Sequence, residues 1–206
     1  LIPHGSRKIC CRYNPRVTPI PAILLTGAGK NHFIAALAAA RPAGERWALL
    51  DNDAGHSAPA QPGAQLHVAT VSGCMCCTGA VALQTGIVQL LRRSRPHRLI
   101  IAASGAAEPA ALEKSLRQEH LAQAIAITHR LHVTAAEHLQ TQLPAGRGLW
   151  LRQLQAANLV VAADAAAVRA LDAALEALGV TKPVLTMADA LLTVLPPAAA
   201  INTAAA

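Results

Sequence analysis

The sequence predicts an α/β fold, a mostly parallel sheet covered by helices on both faces. Three observations carry this expectation. Short apolar runs alternate with helix-forming stretches along most of the 206 residues, which is the pattern of repeated strand–helix–strand units. Nearly every apolar run ends in small or polar residues, as strands do where they leave a sheet. Hydrophobic residues make up 53% of the chain but aromatics only 2%, so the core has to be built from Ala, Leu, Val and Ile.

Taken in order, the first run spans residues 22–26 and ends at Gly27-Ala28-Gly29-Lys30. A helix is expected over 33–40, closed by Arg41-Pro42-Ala43-Gly44. The second run, 47–50, ends at Asp51-Asn52-Asp53-Ala54-Gly55, and a loop containing Pro and Gly leads to the third, 66–71. Gly73-Cys74-Met75-Cys76-Cys77-Thr78 follows, then a helix over 81–91 and a fourth run, 99–103, ending at Ser104-Gly105. A helix over 111–118 precedes the fifth run, 124–128. A helical region over 132–155 comes next, interrupted at Pro144-Ala145-Gly146. The sixth run, 159–163, ends at Asp164; the helix over 165–178 is stopped by Gly179, and 183–186 forms a last short strand. Residues 1–20 read as a basic tail, 21–190 as one domain and 191–206 as an Ala-rich tail.

On parallel sheets, ligands bind outside the carboxyl ends of the strands. Gly27 to Lys30, Asn52-Asp53, Cys74 to Cys77 and Ser104-Gly105 all fall at that edge. The chemistry therefore converges on one side of the sheet.

The net charge of +7 is spread between the N-terminal tail (Arg7, Lys8, Arg12, Arg16) and Arg92-Arg93-Ser94-Arg95-Pro96-His97-Arg98. The latter reads as the solvated end of a helix and the entry to a strand. With two Trp, one Tyr and one Phe there is little on which to stack bases, which argues against nucleic acid as a partner. Five unevenly spaced cysteines do not make a secreted disulfide framework. No charged start followed by an apolar stretch marks a secretory signal, and no segment is apolar over the ~20 residues that span a bilayer. The expected setting is a reducing cytoplasm, without a membrane partner.

Cys74, Cys76 and Cys77 put three soft donors at one turn, a set that suits Zn2+ or another thiophilic transition metal. A fourth ligand has to come from water, a histidine or a second copy of the chain, so a homodimer is one expectation. The other reading is of three small buried hydrophobes. Among nine histidines, His129 and His132 have the spacing to share a helix face, as do His138 and Gln142, although solvated surface histidines have the same spacing.

Gly29-Lys30 stands between a strand and a helix, the context of a phosphate loop, G-x-x-x-x-G-K-[ST]. Such a loop cradles phosphates with backbone N–H groups, reaches them with its Lys and holds magnesium with its hydroxyl. Here Leu24 stands where the first glycine belongs, and Asn31 replaces the Ser or Thr. Counted from Gly27, the loop is about three residues short, roughly 10 Å of chain. The alternative is a plain glycine turn with Lys30 as a solvated first residue of the helix.

The succession of residues 24–30, Asn52-Asp53-Ala54-Gly55, Gly73-Cys74-Met75-Cys76-Cys77-Thr78 and residues 101–109 resembles that of CobW-like proteins. These belong to the CobW/HypB/UreG group of P-loop GTPases linked to metal insertion and metal homeostasis. The likeness covers 21–110, and the Gly-Cys-x-Cys-Cys-Thr segment is its specific part. It implies a P-loop NTPase-like fold that binds GTP with Mg2+ through Gly27, Ala28, Gly29, Lys30 and Asn31. It also implies a metal turn at Cys74, Cys76 and Cys77, switch residues at Asp53, Ser104 and Gly105, and a metal-receiving protein as partner. The departures from the family pattern are Asn31 for the magnesium Thr, Ala102 for a Glu, and an incomplete guanine-reading motif of which Asp164 remains. The expectation is also that the family's C-terminal domain, with little room after 190, is absent. The expectation is a GTP-binding, metallochaperone-type protein that couples guanine nucleotide to a thiolate metal site, with hydrolysis weak or lost. The alternative is a non-hydrolysing metal-binding or adaptor protein on the same fold.

Overall fold

The computed structural model describes residues 18–52, 66–71 and 80–195, apart from the side chains of 120 and 139–147. Among the described residues seven strands form one sheet in the order β3-β2-β4-β1-β5-β6-β7, and every pairing in it is parallel. The strands are β1 (Ile20–Thr26), β2 (Trp47–Asp51), β3 (Leu66–Thr70), β4 (Arg98–Ala102), β5 (Ile125–Val133), β6 (Leu159–Ala162) and β7 (Val184–Thr186). The helices are α1 (Lys30–Ala39), α2 (Ala80–Ser94), α3 (Pro109–Leu116), α4 (Glu119–Ala122), α5 (Ala136–Ala156), α6 (Ala165–Ala177) and α7 (Met187–Val194). Every residue of β2 and β4 is buried, which explains why these strands read as continuous apolar runs rather than alternating ones.

Alternate residues of each strand feed opposite faces. Ile23 and Leu25 of β1 join Phe33, Ile34 and Leu37 of α1 and Ala190 and Val194 of α7 in one core. Ala22 and Leu24 join Leu83, Ile87 and Leu90 of α2 and Leu112 and Leu116 of α3 in the other. Trp150 and Leu154 of α5 pack with Leu171 and Leu175 of α6 against Val160 and Ala162 on that second face. The helices on both faces and the seven strands agree with the expectation.

One strand departs from it. β5 runs on to Val133, so His129 and His132 lie on a strand and not on a helix face. The cause is a bulge: Ala22 pairs with Ile127 but Ile23 pairs with His129, leaving Thr128 as the extra residue. Its hydroxyl donates to Ala22 O at 3.2 Å. The extra residue reverses the facing of the rest of the strand. Ile125 packs toward α2 and α3, whereas Leu131 and Val133 pack into the α1 core. Arg130 and His132 are thereby turned toward α3 and α5, where they meet Glu113 and Trp150. α5 begins at Ala136 and continues through Pro144 to Ala156; packing of Trp150 and Leu154 in the core offsets a helix-interior proline's cost of about 3 kcal/mol. α7 extends to Val194, past the expected boundary at 190.

The basic run 92–98 also needs correction at its end. Arg98 is only 8% exposed. Its guanidinium lies 5.5 Å from the Trp47 ring centroid and donates from Nη1 to Val194 O at 3.0 Å. Burial lowers its pKa, with Glu45 opposing the shift. This arginine fastens the last turn of α7 to the sheet. Arg98→Met should lower stability by about 1–3 kcal/mol and speed amide exchange in α7 more than in α2, as hydrogen exchange with mass spectrometry will read.

Candidate functional site

The candidate site lies along the carboxyl ends of the strands, and β1 sets its centre. After Thr26 the chain turns through Gly27, at φ +93°, and Gly29 forms the N-cap of α1 without a side-chain cap. Both glycines are required by β5. A Cβ on Gly27 would sit 2.2 Å from Val133 O, and one on Gly29 would sit 2.8 Å from Val133 Cγ1. Gly29 N–H donates to Val133 O at 3.0 Å. In a phosphate loop the glycines let backbone amides approach an anion; here they let the loop approach a carbonyl, and one of those amides is already engaged.

Lys30, the first residue of α1, is 4% exposed, which rules out a solvated helix-start lysine. Asn31 follows, and its Oδ1 is buried with no hydrogen-bond partner among the described residues. A buried, uncommitted oxygen is the donor type that Mg2+ takes, so Lys30 and Asn31 fit a magnesium-bound phosphate. The backbone ahead of them does not fit a fully wrapped β-phosphate.

Below the loop, Thr26 Oγ1 lies 2.9 Å from His132 Nδ1 and donates to Leu131 O at 3.3 Å. With the hydroxyl proton so placed, His132 donates from Nδ1. The imidazole is fully buried and meets the Trp150 ring edge-on at 5.8 Å. Burial first, and the Lys30 charge second, lower its pKa to about 4. It is a neutral strut between β1 and β5 at physiological pH.

On the other side of β1, Ala102 ends β4 and is fully buried. Ser104 is half-buried and Gly105 exposed. α5 grips this segment: Gln153 Nε2 donates to Gly105 O at 3.1 Å and to Ala107 O at 2.8 Å, and Arg152 Nε donates to Glu108 Oε2 at 2.9 Å. Sequence reasoning missed Gln153 and Arg152, and offered His132 only as the partner of His129 on a helix face. Nothing in the sequence around them marks a site; only the placement of α5 and the bulge in β5 brings them here.

Asn52, at the end of β2, donates from Nδ2 to Val71 O at 2.7 Å and from its backbone to Ala102 O at 3.0 Å, tying three strand ends together. Asp164 lies just past the end of β6 at the same edge, but its Oδ1 caps α6 by accepting from Ala167 N–H at 2.9 Å. Gly27, Ala28, Gly29, Lys30, Asn31, Ser104, Gly105 and Asp164 therefore share one edge. Asp53 lies outside the described residues. So do Cys74, Cys76 and Cys77, in the stretch 72–79 that joins the end of β3 to α2.

A family model described as CobW/HypB/UreG, nucleotide-binding domain, matches residues 22–188. The zinc chaperone YeiR of Escherichia coli (strain K12) is 30% identical over 141 residues, which are 66% of this chain and 43% of that protein. The Zn(II)-bound YjiA GTPase from E. coli shares the fold with a TM-score of 0.59 at 19% identity, over 82% of this chain and 58% of that one. A Zn(II)-bound triple mutant of YjiA gives a TM-score of 0.58 at 18% identity over the same shares. The chain thus spans less than half the length of the curated relative and under two thirds of these structures.

Two outcomes test the geometry. Gly27→Ala should lower stability by at least about 3 kcal/mol, because strain and a clash with Val133 O coincide. Gly44→Ala, also at positive φ (+83°) but with open space around it, should cost only about 1 kcal/mol; urea unfolding of the two variants will compare them. His132 has a folded pKa below its unfolded value, so the unfolded chain binds more protons between pH 6.5 and about 4. Its contribution is complete above 6.5 and is lost as pH falls through that window, on the order of 3 kcal/mol. Melting temperature should therefore drop from pH 7 to pH 4, and His132→Gln should flatten that slope.

Proposed function

We propose that this chain, which belongs to the CobW/HypB/UreG nucleotide-binding domain family, is a metallochaperone-type protein. It takes zinc or another thiophilic metal on Cys74, Cys76 and Cys77 and hands it to a receiving protein. Guanine nucleotide with magnesium binds weakly at Lys30 and Asn31 and is hydrolysed slowly or not at all. The observation that carries the nucleotide half is the buried Lys30 at the head of α1 beside Asn31, whose buried Oδ1 is uncommitted where magnesium would be held. The name of the zinc chaperone relative supports the metal half, as does the softness of three clustered thiolates.

Slow or absent hydrolysis follows from what the site lacks. Phosphoryl transfer depends on positioning and charge stabilisation. Ala102 offers neither a metal ligand nor a water-orienting group, and the Gly29 amide is spent on Val133 O. Within this reading Lys30 would hold phosphate charge, Asn31 would give magnesium an oxygen, and Asp53, Ser104 and Gly105 would respond to the nucleotide. Asp164 would contact the base only by leaving its capping bond.

That engaged Gly29 amide and the capped Asp164 favour a second reading, a metal-binding or adaptor protein that has given up nucleotide. The reduced protein should be titrated with zinc, with and without GTP and Mg2+, beside Cys76→Ser and Cys77→Ser. Thiolate-dependent zinc binding, weakened at least about tenfold in each variant and shifted by GTP, is the expected result. Thiolate-dependent affinity indifferent to GTP would favour the second reading, and zinc binding unchanged in both variants would remove the metal site from either.

A further inference from the structure

On the face opposite α1, an open groove of about 480 Å³ runs between α3 and α5. Its small apolar lining is Pro109, Ala110 and Ala156, and its charged lining is Glu108, Glu113, Arg117, Arg130 and Arg152. Glu113 serves two guanidiniums, Arg130 at close range and Arg117 at 3.5 Å, while Arg152 pairs with Glu108 at 2.9 Å. Three cations thus face two carboxylates. Arg130 is held rigidly, with a side chain only 21% exposed, whereas Arg117 and Arg152 are 68% and 54% exposed. Exposed pairs of this kind contribute little to stability, so their guanidiniums can exchange one carboxylate for another at small cost.

We propose that this groove docks an acidic segment of a partner protein. The excess guanidinium supplies the charge complementarity, and planar arginine forks suit carboxylates held in two-point contacts. The apolar lining of Pro109, Ala110 and Ala156 takes an aliphatic side chain between the carboxylates. A groove open along its length encloses too little of a small molecule to hold one well, but it matches the extended reach of a peptide. The position gives docking a consequence. A partner carboxylate on Arg152 displaces Glu108, and Glu108 with Gln153 is what ties residues 105–108 to α5. A partner seated here therefore leaves the segment next to Ser104 and Gly105 tied to α5 by Gln153 alone. The docking itself is independent of nucleotide or metal.

The test uses a fluorescein-labelled peptide with two glutamates on each side of a leucine, its all-glutamine counterpart, and anisotropy titration of the full chain. Saturable binding of the glutamate peptide is expected, at least about tenfold tighter than the glutamine peptide. It should weaken about tenfold in the Arg117→Ala/Arg152→Ala double variant and stay unchanged in Arg92→Ala/Arg93→Ala, whose arginines lie in the last turn of α2. Equal binding of the two peptides, equal loss in both double variants, or equal competition by duplex DNA and by unlabelled peptide would overturn the proposal. So would no binding of the glutamate peptide. Since Arg117 and Arg152 are exposed, an unchanged melting temperature will show that the variant is folded.

Discussion

The close approach of the β5 end to the first loop governs the rest of this structure. Val133 O accepts from Gly29 N–H and excludes any side chain at Gly27. That contact sets where the chain turns after β1, hence where α1 begins and where Lys30 and Asn31 are held. It depends in turn on the bulge at Thr128, because the bulge puts Val133 on the α1 side of the sheet and His132 beneath the loop on the other. The same contact uses one of the loop's amide donors and the space beside its two glycines.

A second constraint runs through α5. Just before its first residue the chain makes the Val133 contact, and its last turns hold residues 105–108 through Gln153 and Arg152. One helix therefore spans both loops that flank the central strands. The arginine-lined groove lies along the outer side of α5. The side chains that hold residues 105–108 are polar residues on a helix whose propensity pattern is broken by Pro144.

Much of the fold was legible because burial writes itself into a parallel sheet as apolar runs. All seven strands and both helical layers follow from runs such as 22–26, 47–50 and 99–103 and the helix-forming stretches between them. The miss was β5, where the strand runs on as His129, Arg130, Leu131 and His132. Polar residues in a strand look like its end, and a bulge that aims them at α3 and α5 leaves no periodic trace. Arg98 misled in the same way: a cation at the end of a basic run reads as solvated, yet Trp47 and the Val194 carbonyl take it inside.

The sequence by itself determined the architecture, the common edge of the candidate residues and the resemblance to CobW-like proteins. Each of these rests on local pattern: hydrophobic runs, turn residues, and Gly-Cys-x-Cys-Cys-Thr between two strand-end motifs. Only the tertiary structure decided that the shortened loop closes on a carbonyl rather than staying open, that Asp164 caps its own helix, and that Gln153 holds the Ser104-Gly105 segment. The physical reason is that hydrogen-bond partners are chosen among groups far apart in the chain. A glycine or an aspartate carries the capacity for several partners, and which one it meets is fixed only when β5 and α5 are packed against the first strand.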